Sequence, residues 1–296
     1  MKPKPTITVL IPAYNEEENI EKCIRSVLEQ EQETYILEKI LVVSDGSTDG
    51  TVNLVASIDS HLIKSIEWDA NRGIGAVVDY AFQNTHSDFL FKLDGDLTLN
   101  STRAIENTLD QRSKTNADLF FVRQNYPEPS SSLLDRYIHR IHGYVYKKKL
   151  LPLLKGDQYL QTHIVGSYLL KKTLYKKITV PQNVITEDVY IFYTSQQQGF
   201  KTSYTSDPHV YFAYPESWSH HINQITRWDT SVLGDYFAGS FMRKYNAPLP
   251  LTKVVLILFR ELFRNPTLIC ILVLTRSIAF LKKPFYIRTI KAFRSR

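Results

Sequence analysis

Three groups of residues in this 296-residue chain have the types and spacing to do chemistry. The first is Asp94-Gly95-Asp96, directly after an apolar run. A tight turn through the glycine lets both carboxylates face one point, where they repel unless a cation lies beside them. Hard divalent ions such as Mg2+ or Mn2+ take one or two carboxylates together with substrate phosphates. A lone D-x-D is more often a solvated turn, but a place at the mouth of a strand favours a site. The second group is Glu187-Asp188, where a helical pattern begins. A helix N-terminus favours the ionised carboxylate, so either acid is available as a general base, against a plain preference for acids at helix starts. The third is Gln224, Arg227 and Trp228, which at i, i+3 and i+4 share one helix face. A guanidinium can grip a phosphate through two hydrogen bonds, and an indole offers a plane on which a sugar stacks. The competing reading is an amphipathic helix with a buried Trp. His220 and His221 read as surface residues, and His209 alone is thin support for a metal.

These groups need elements to position them. Thr6 to Ile11 is a short β-branched run ending at Pro12, as in a buried parallel strand. Ile20, Cys23, Ile24, Val27 and Leu28 then recur at helical spacing. "KILVVS", "HLIKSIEW", "SDFLFKL" and "ADLFFV" read as further strands, with helices between them, and Thr48 or Asp49 is placed to cap the second helix. Strands alternating with helices predict an α/β fold, a mostly parallel sheet covered on both faces. In such sheets ligands sit beyond the carboxyl ends of the strands. "AYNEEE", "SDGSTD", "NRGIG" and "DGD" all fall at such ends, and their convergence says more than any one of them. After Asn125 the alternation loosens: a helix from Leu133 to Leu154, a strand-like "THIVGSYLL", a helix from Thr186 to Gly199, two short strands, and a helix from about Ser217. The expected divisions are residues 1–125, 126–245 and 246–296.

Composition narrows the classes. Hydrophobic content of 43% and charged content of 22% exclude general disorder. Cys23 and Cys270 lack metal-ligand spacing, and two distant cysteines make a disulfide framework unexpected, which fits a reducing compartment. "TITVLIPAY" is too short for a signal peptide and reads better as a strand. "NRGIGA" fails the dinucleotide fingerprint at Val78, and the P-loop pattern is absent. The net charge of +6 is concentrated at the end, where the last fifteen residues hold Lys282, Lys283, Arg288, Lys291, Arg294 and Arg296 without an acid. Apart from Phe285, Tyr286 and Phe293 this tail lacks aromatics for base stacking, so no nucleic acid partner is expected. Before it lies the most apolar stretch in the chain, whose longest uncharged piece, Asn265 to Thr275, is shorter than the roughly 20 residues a span requires. Short amphipathic helices on an anionic membrane surface, at its cytoplasmic face, fit better than a crossing.

"VLIPAYNEEENI", "LVVSDGSTDGT", "NRGIGAVVDYAF", "FLFKLDGDL", "VITEDVYIFYTSQQQGF" and "QITRW", in this order, resemble the family 2 glycosyltransferases of GT-A fold, over about Thr6 to Phe237. The resemblance implies a nucleotide-diphosphate-sugar donor, most often a UDP-sugar, bound by the N-terminal half. Pro12, Ala13, Tyr14, Glu16 and Asp45 would line the nucleoside, Asp94 would lie near the ribose and diphosphate, and Asp96 would hold Mg2+ or Mn2+. Asp188, in the T-E-D motif with Glu187, would be the catalytic base. Gln224, Arg227 and Trp228 match Q-x-x-R-W, near diphosphate and acceptor. Two departures stand out: Ser44 replaces a frequent aspartate, and Ile74 a frequent lysine, leaving Arg72 as a source of charge near the diphosphate. Metal and Arg227 would neutralise the departing diphosphate while Asp188 deprotonates the attacking hydroxyl, a single displacement that inverts the anomeric centre. The acceptor would be a lipid-linked or membrane-proximal glycan. Alternatives are transfer to polyprenyl phosphate and an inactive nucleotide-binding scaffold. A sugar-nucleotide pyrophosphorylase would need a Gly-rich, basic N-terminal loop that "IPAYNEEE" does not supply. Lacking the several spans of processive synthases, the chain is not expected to translocate polymer by itself.

Overall fold

The computed structural model describes residues 3–141, 166–182, 184, 186–207, 209–226, 256, 259–260 and 263–294, with side chains in the last stretch to residue 282. The chain forms two compact units: residues 1–125 with 163–213, and residues 126–162 with 214–296.

The first unit is built on a seven-stranded sheet. Strands β1 (Thr6–Ala13), β2 (Ile36–Asp45), β3 (Ile63–Trp68) and β4 (Phe89–Lys92) are parallel neighbours in the order β3-β2-β1-β4. β5 (Leu97–Leu99), β6 (Leu119–Phe121) and β7 (Gln124–Asn125) follow, then β8 (Tyr168–Lys171), β9 (Thr202–Tyr204) and β10 (Val210–Phe212). β8 lies antiparallel between β4 and β6, and β9 closes the sheet parallel to β6. A small second sheet has the order β5-β10-β7. The sheet is therefore mostly parallel, as its sequence pattern predicts, with β8 the strand that runs against both its neighbours, β4 and β6.

Helices α1 (Ile20–Leu28), α2 (Thr51–Ser57), α3 (Ile74–Asn84) and α4 (Ala104–Thr115) connect the early strands. α1 buries Ile20, Cys23, Ile24 and Val27 against Ile7, Val9 and Ile11 of β1, so the helical and strand periodicities meet in one core. β1 is buried on both faces, hence its near-continuous apolar sequence. The cap of α2 differs from expectation. Gly50 is the N-cap, and Asp49 works from one position further out, accepting hydrogen bonds from the Thr51 N–H (3.0 Å) and hydroxyl (2.6 Å).

β1 stays paired with β2 through Ala13↔Ser44, but with β4 only through Leu10↔Lys92. Pro12 has no N–H with which to prolong a ladder. Past Leu10 the two strands part, at the point where the sheet order turns back on itself, and polar loops fill the gap.

In the second unit the helix Leu133–Ile138 is capped by Ser132, whose hydroxyl accepts from the Asp135 N–H (3.2 Å). Of the helix predicted to reach Leu154, the part beyond residue 141 lies outside the described residues. Residues 218–226 are helical, and Trp218, His221 and Ile225 share the i, i+3, i+7 face turned inward. His221 is thus buried rather than at the surface, with its ring 5.6 Å from that of Tyr137, and burial pushes its imidazole down to about 4. His220 is exposed, as expected. The C-terminal segment carries the helix Pro266–Arg294, which runs on into the basic residues that the sequence suggested as a separate tail, and residues 256, 259–260 and 263–264 before it are helical as well. Thr275, Ile269 and Ala279 mark its inner face, and the Thr275 and Tyr137 hydroxyls are 3.1 Å apart. Among the described residues no helix is long and apolar enough to cross a membrane.

Candidate functional site

The gap between β1 and β4 is lined by four loops. The loop after β1 turns at Asn15, which adopts the left-handed region at φ 56° and accepts the Thr48 N–H through its side chain (2.8 Å). Further bonds tie it to the loop after β2: Glu16 N–H to the Thr51 hydroxyl (2.8 Å) and Gly50 N–H to the Glu17 carboxylate (2.7 Å). Short polar side chains satisfy backbone donors that strand pairing has left behind. The loop after β2 in turn abuts the one before α3. Gly46 sits at φ 73°, and a Cβ there would lie 2.5 Å from the backbone of Ala70 and Asn71.

Asp45 ends β2 and is buried. Its two carboxylate oxygens accept the backbone N–H groups of Arg72 (2.6 Å) and Gly73 (2.9 Å). Burial pushes its carboxyl up, against the pull of those two bonds and the Arg72 charge. Arg72 itself is exposed, with its guanidinium 4.6 Å from the centre of the Trp68 ring. Asp45 and Arg72 are therefore brought together, joined by backbone rather than by a side-chain ion pair. Tyr14 is half exposed on the neighbouring loop, and Pro12 and Ala13 are buried beneath it.

The Asp94-Gly95-Asp96 turn is closed by Leu97 N–H to Asp94 C=O (3.0 Å). It packs against the first loop so closely that a Cβ on Gly95 would lie 3.2 Å from both Pro12 O and Glu16 Cγ. Cys23 of α1 supports it from below, its thiol 3.5 Å from the Asp94 carbonyl. Asp94 and Asp96 are both partly buried.

A residue that the motifs did not single out organises this corner. Lys92, the last residue of β4, is buried, and its ammonium lies 2.5 Å from Asp94 Oδ1 and 2.9 Å from Glu187 Oε1. The centre of the Tyr168 ring is 5.6 Å away. Burial pulls the Lys92 ammonium down, but Asp94 and then Glu187 outweigh it, so it stays charged. The signal was present in the sequence as a lysine inside "FLFKL", where a buried strand otherwise admits only apolar residues. Sequence position alone could not supply its second partner, 95 residues later.

Glu187 and Asp188 open the helix Glu187–Gln197, with Thr186 at the N-cap, as the T-E-D pattern predicts. Glu187 points inward to Lys92, whereas Asp188 is half-buried and accepts the Val189 N–H (2.8 Å). Burial, then the Glu187 charge, push the Asp188 carboxyl up to about 7, with Lys92 and the Val189 N–H pulling back. Asp94 is pushed up to about 6 by burial, with Lys92 opposing and Asp96 and Glu187 reinforcing. Burial and two neighbouring acids, Glu187 and Asp94, thus outweigh the lysine and leave Asp188 near neutrality, the condition a general base needs at ordinary pH.

Among the described residues no three His, Cys, Asp or Glu side chains converge as a protein-made metal cage. One or two carboxylates on a turn instead suit a hard ion that draws its other ligands from phosphates and water. His209 takes no part: it is buried, with Nδ1 2.8 Å from the Thr108 hydroxyl and Nε2 3.3 Å from the Gln111 amide. Gln224 belongs to the second unit, half-buried on the helical residues 218–226, and Arg227 and Trp228 lie outside the described residues.

Comparison with known proteins agrees with this architecture. The model of "Glycosyl transferase family 2" matches residues 8–178. Glycosyltransferase AglE of Haloferax volcanii is 32% identical over 138 residues, 45% of this chain and 44% of that protein. The undecaprenyl-phosphate 4-deoxy-4-formamido-L-arabinose transferase of Salmonella choleraesuis is 28% identical over 150 residues, 48% and 45% of the two chains. The chain thus spans less than half the length of these curated relatives. Among solved structures, the mannosyltransferase PcManGT of Pyrobaculum calidifontis, in complex with GDP-Man and Mn2+, superposes with a TM-score of 0.58 at 17% identity, over 99% of this chain and 85% of its own. TarS of S. aureus, in complex with UDP-GlcNAc, gives 0.54 at 17% identity, over 72% and 59%.

Proposed function

The chain belongs to glycosyl transferase family 2, with a GT-A-like fold, and from that premise we propose that it moves a sugar from a nucleotide-diphosphate-sugar, a UDP-sugar in the first instance, to a hydroxyl of a lipid-linked or membrane-proximal glycan. The observation that carries this reading is Asp188, half-buried at a helix start and held near neutrality beside the Lys92 cluster.

In this reading the first two loops cradle the nucleoside, with Pro12, Ala13, Tyr14, Glu16 and Asp45 along it and Arg72 toward the diphosphate. Asp96 would hold a divalent ion, Mg2+ or Mn2+, whose charge would offset that of the diphosphate. Asp94, already engaged by Lys92, orients the donor. Asp188 accepts the proton of the acceptor hydroxyl as that oxygen attacks the anomeric carbon from the face opposite the leaving group. One displacement inverts the centre. Gln224, Arg227 and Trp228 are assigned to the departing diphosphate and the acceptor on their motif alone.

Transfer to polyprenyl phosphate is a second reading, suggested by the likeness to the Salmonella undecaprenyl-phosphate transferase. A phosphate acceptor is already an anion and needs little base catalysis. Asp188→Asn separates the two, since it abolishes transfer to a hydroxyl but spares transfer to a phosphate. The primary test is a melting-temperature panel of UDP-sugars and GDP-sugars with and without Mn2+, because a ligand of the folded state raises the transition by an amount that grows with the logarithm of its concentration over Kd. A metal-dependent rise with one donor, followed by turnover, supports the reading. Absence of both metal-dependent nucleotide binding and turnover overturns it.

We place the protein at the cytoplasmic face of a membrane through the Pro266–Arg294 helix. Opposite its inner face, Phe280 and Leu281 are 71% and 76% exposed. Apolar side chains on one helix face, followed by a basic run, are the pattern of a helix lying in an anionic lipid interface.

A further inference from the structure

Lys92 is a nearly fully buried charge in the last position of a parallel strand, and its partners come from two separate parts of the chain. One is Asp94, two residues on, in the turn that faces the first loop. The other is Glu187, the residue before Asp188. The Asp94 carboxylate has little freedom left: Oδ1 meets the Lys92 ammonium, and Oδ2 rests where a Cβ on Gly166 would collide with it. A larger residue at Gly166 would push that oxygen aside, so the glycine leaves the carboxylate room to reach Lys92.

We propose that Lys92 is a positioning residue that sets the distance between the donor turn and the base. By drawing Asp94 and Glu187 onto one ammonium it fixes the Asp94–Asp96 turn relative to the first turn of the Glu187–Gln197 helix. Asp94 and Glu187 are both engaged as its counter-ions, and Asp188 follows Glu187 at the helix start. Lysine suits this task because its compact ammonium can sit between two carboxylates with the tetrahedral spread of its three donors. Removing it leaves both acids without their common partner, so they repel and the turn and the helix start move apart.

This inference rests on the glycosyltransferase reading, and the test separates the two. Lys92→Met alone strands two buried carboxylates and is expected to melt early. The informative protein is therefore the double variant Lys92→Met with Glu187→Gln, which removes a positive and a negative charge together and keeps side-chain length. Its circular dichroism, its melting temperature, its binding of UDP with and without Mn2+ by calorimetry, and its kcat and donor KM are compared with those of the parent. If Lys92 positions the site, the double variant melts above Lys92→Met, because one stranded carboxylate remains rather than two, yet binds Mn2+–UDP at least tenfold more weakly than the parent and turns over at least a hundredfold more slowly. If Lys92 only balances charge, stability, binding and turnover recover together, and the proposal is overturned. If the parent itself binds no nucleotide in a Mn2+-dependent way, the function reading fails instead.

Discussion

The base role proposed for Asp188 ties activity to folding. Its carboxyl is pushed up to about 7 in the folded protein, against about 3.9 for a free aspartate. Below the lower value it is protonated in both states and costs nothing. As pH rises toward 7 the unfolded chain ionises first, so the stability associated with the neutral group is lost up to the folded-state value. A base must be ionised to act, so transfer to a hydroxyl acceptor should rise with pH through about 7 in a pH–rate profile. Asp188→Asn should lower that rate by about 10²–10⁴-fold. The same variant should melt about 2–4 °C higher than the parent at pH 8, for roughly 1 kcal/mol allowing for partial exposure, and show no gain at pH 4. A variant that keeps full hydroxyl transfer would remove Asp188 from its role. The acids of this corner were legible in the sequence because Asp, Gly and Glu cluster at strand and helix ends. Lys92 was legible only as an oddity in an apolar strand, because its contact with Glu187 exists only after β8 and the Glu187 helix have packed. His221 was misread for a related reason: a histidine pair has no direction until the inward face of its helix is known.

At the scale of elements, the early βαβ units were legible through the two periodicities, and so were the loops that end them. Less visible was the reversal at β8, since a four-residue apolar strand reads the same in either direction. The close approach of two loops at Gly46 was also hidden, although "DGSTDG" advertised a turn. Gly46 combines a left-handed φ with direct backbone contact to Ala70 and Asn71. Gly46→Ala should therefore cost about 1–3 kcal/mol, seen as a melting temperature lowered by several degrees. Because Asp45 shares this contact, nucleotide binding should weaken in the same variant. Unchanged stability would mean that the two loops separate easily, and that Asp45 is not fixed by Arg72 and Gly73.

For the whole molecule, the question is where it works. The described helices cannot cross a bilayer, yet the C-terminal helix keeps large apolar side chains in solvent. Replacing Phe280 and Leu281 together by serine should reduce co-sedimentation with vesicles containing phosphatidylglycerol by about tenfold or more, given the apolar area each would otherwise bury. Nucleotide binding should be unaffected. Equal co-sedimentation of parent and variant would show that this face does not meet lipid.

The thiol beneath the donor turn gives the molecule a built-in clock. Cys23 is fully buried under Asp94, and burial followed by the charges of Asp96, Asp94 and Glu16 keeps its thiol protonated, whereas Cys270 is exposed. A thiol reagent should therefore label Cys270 at once and Cys23 only when the turn lifts from α1. The slow phase of labelling measures how often that happens. Ligands that close the turn should lengthen it, and the experiment needs neither the sugar nor the acceptor to be known.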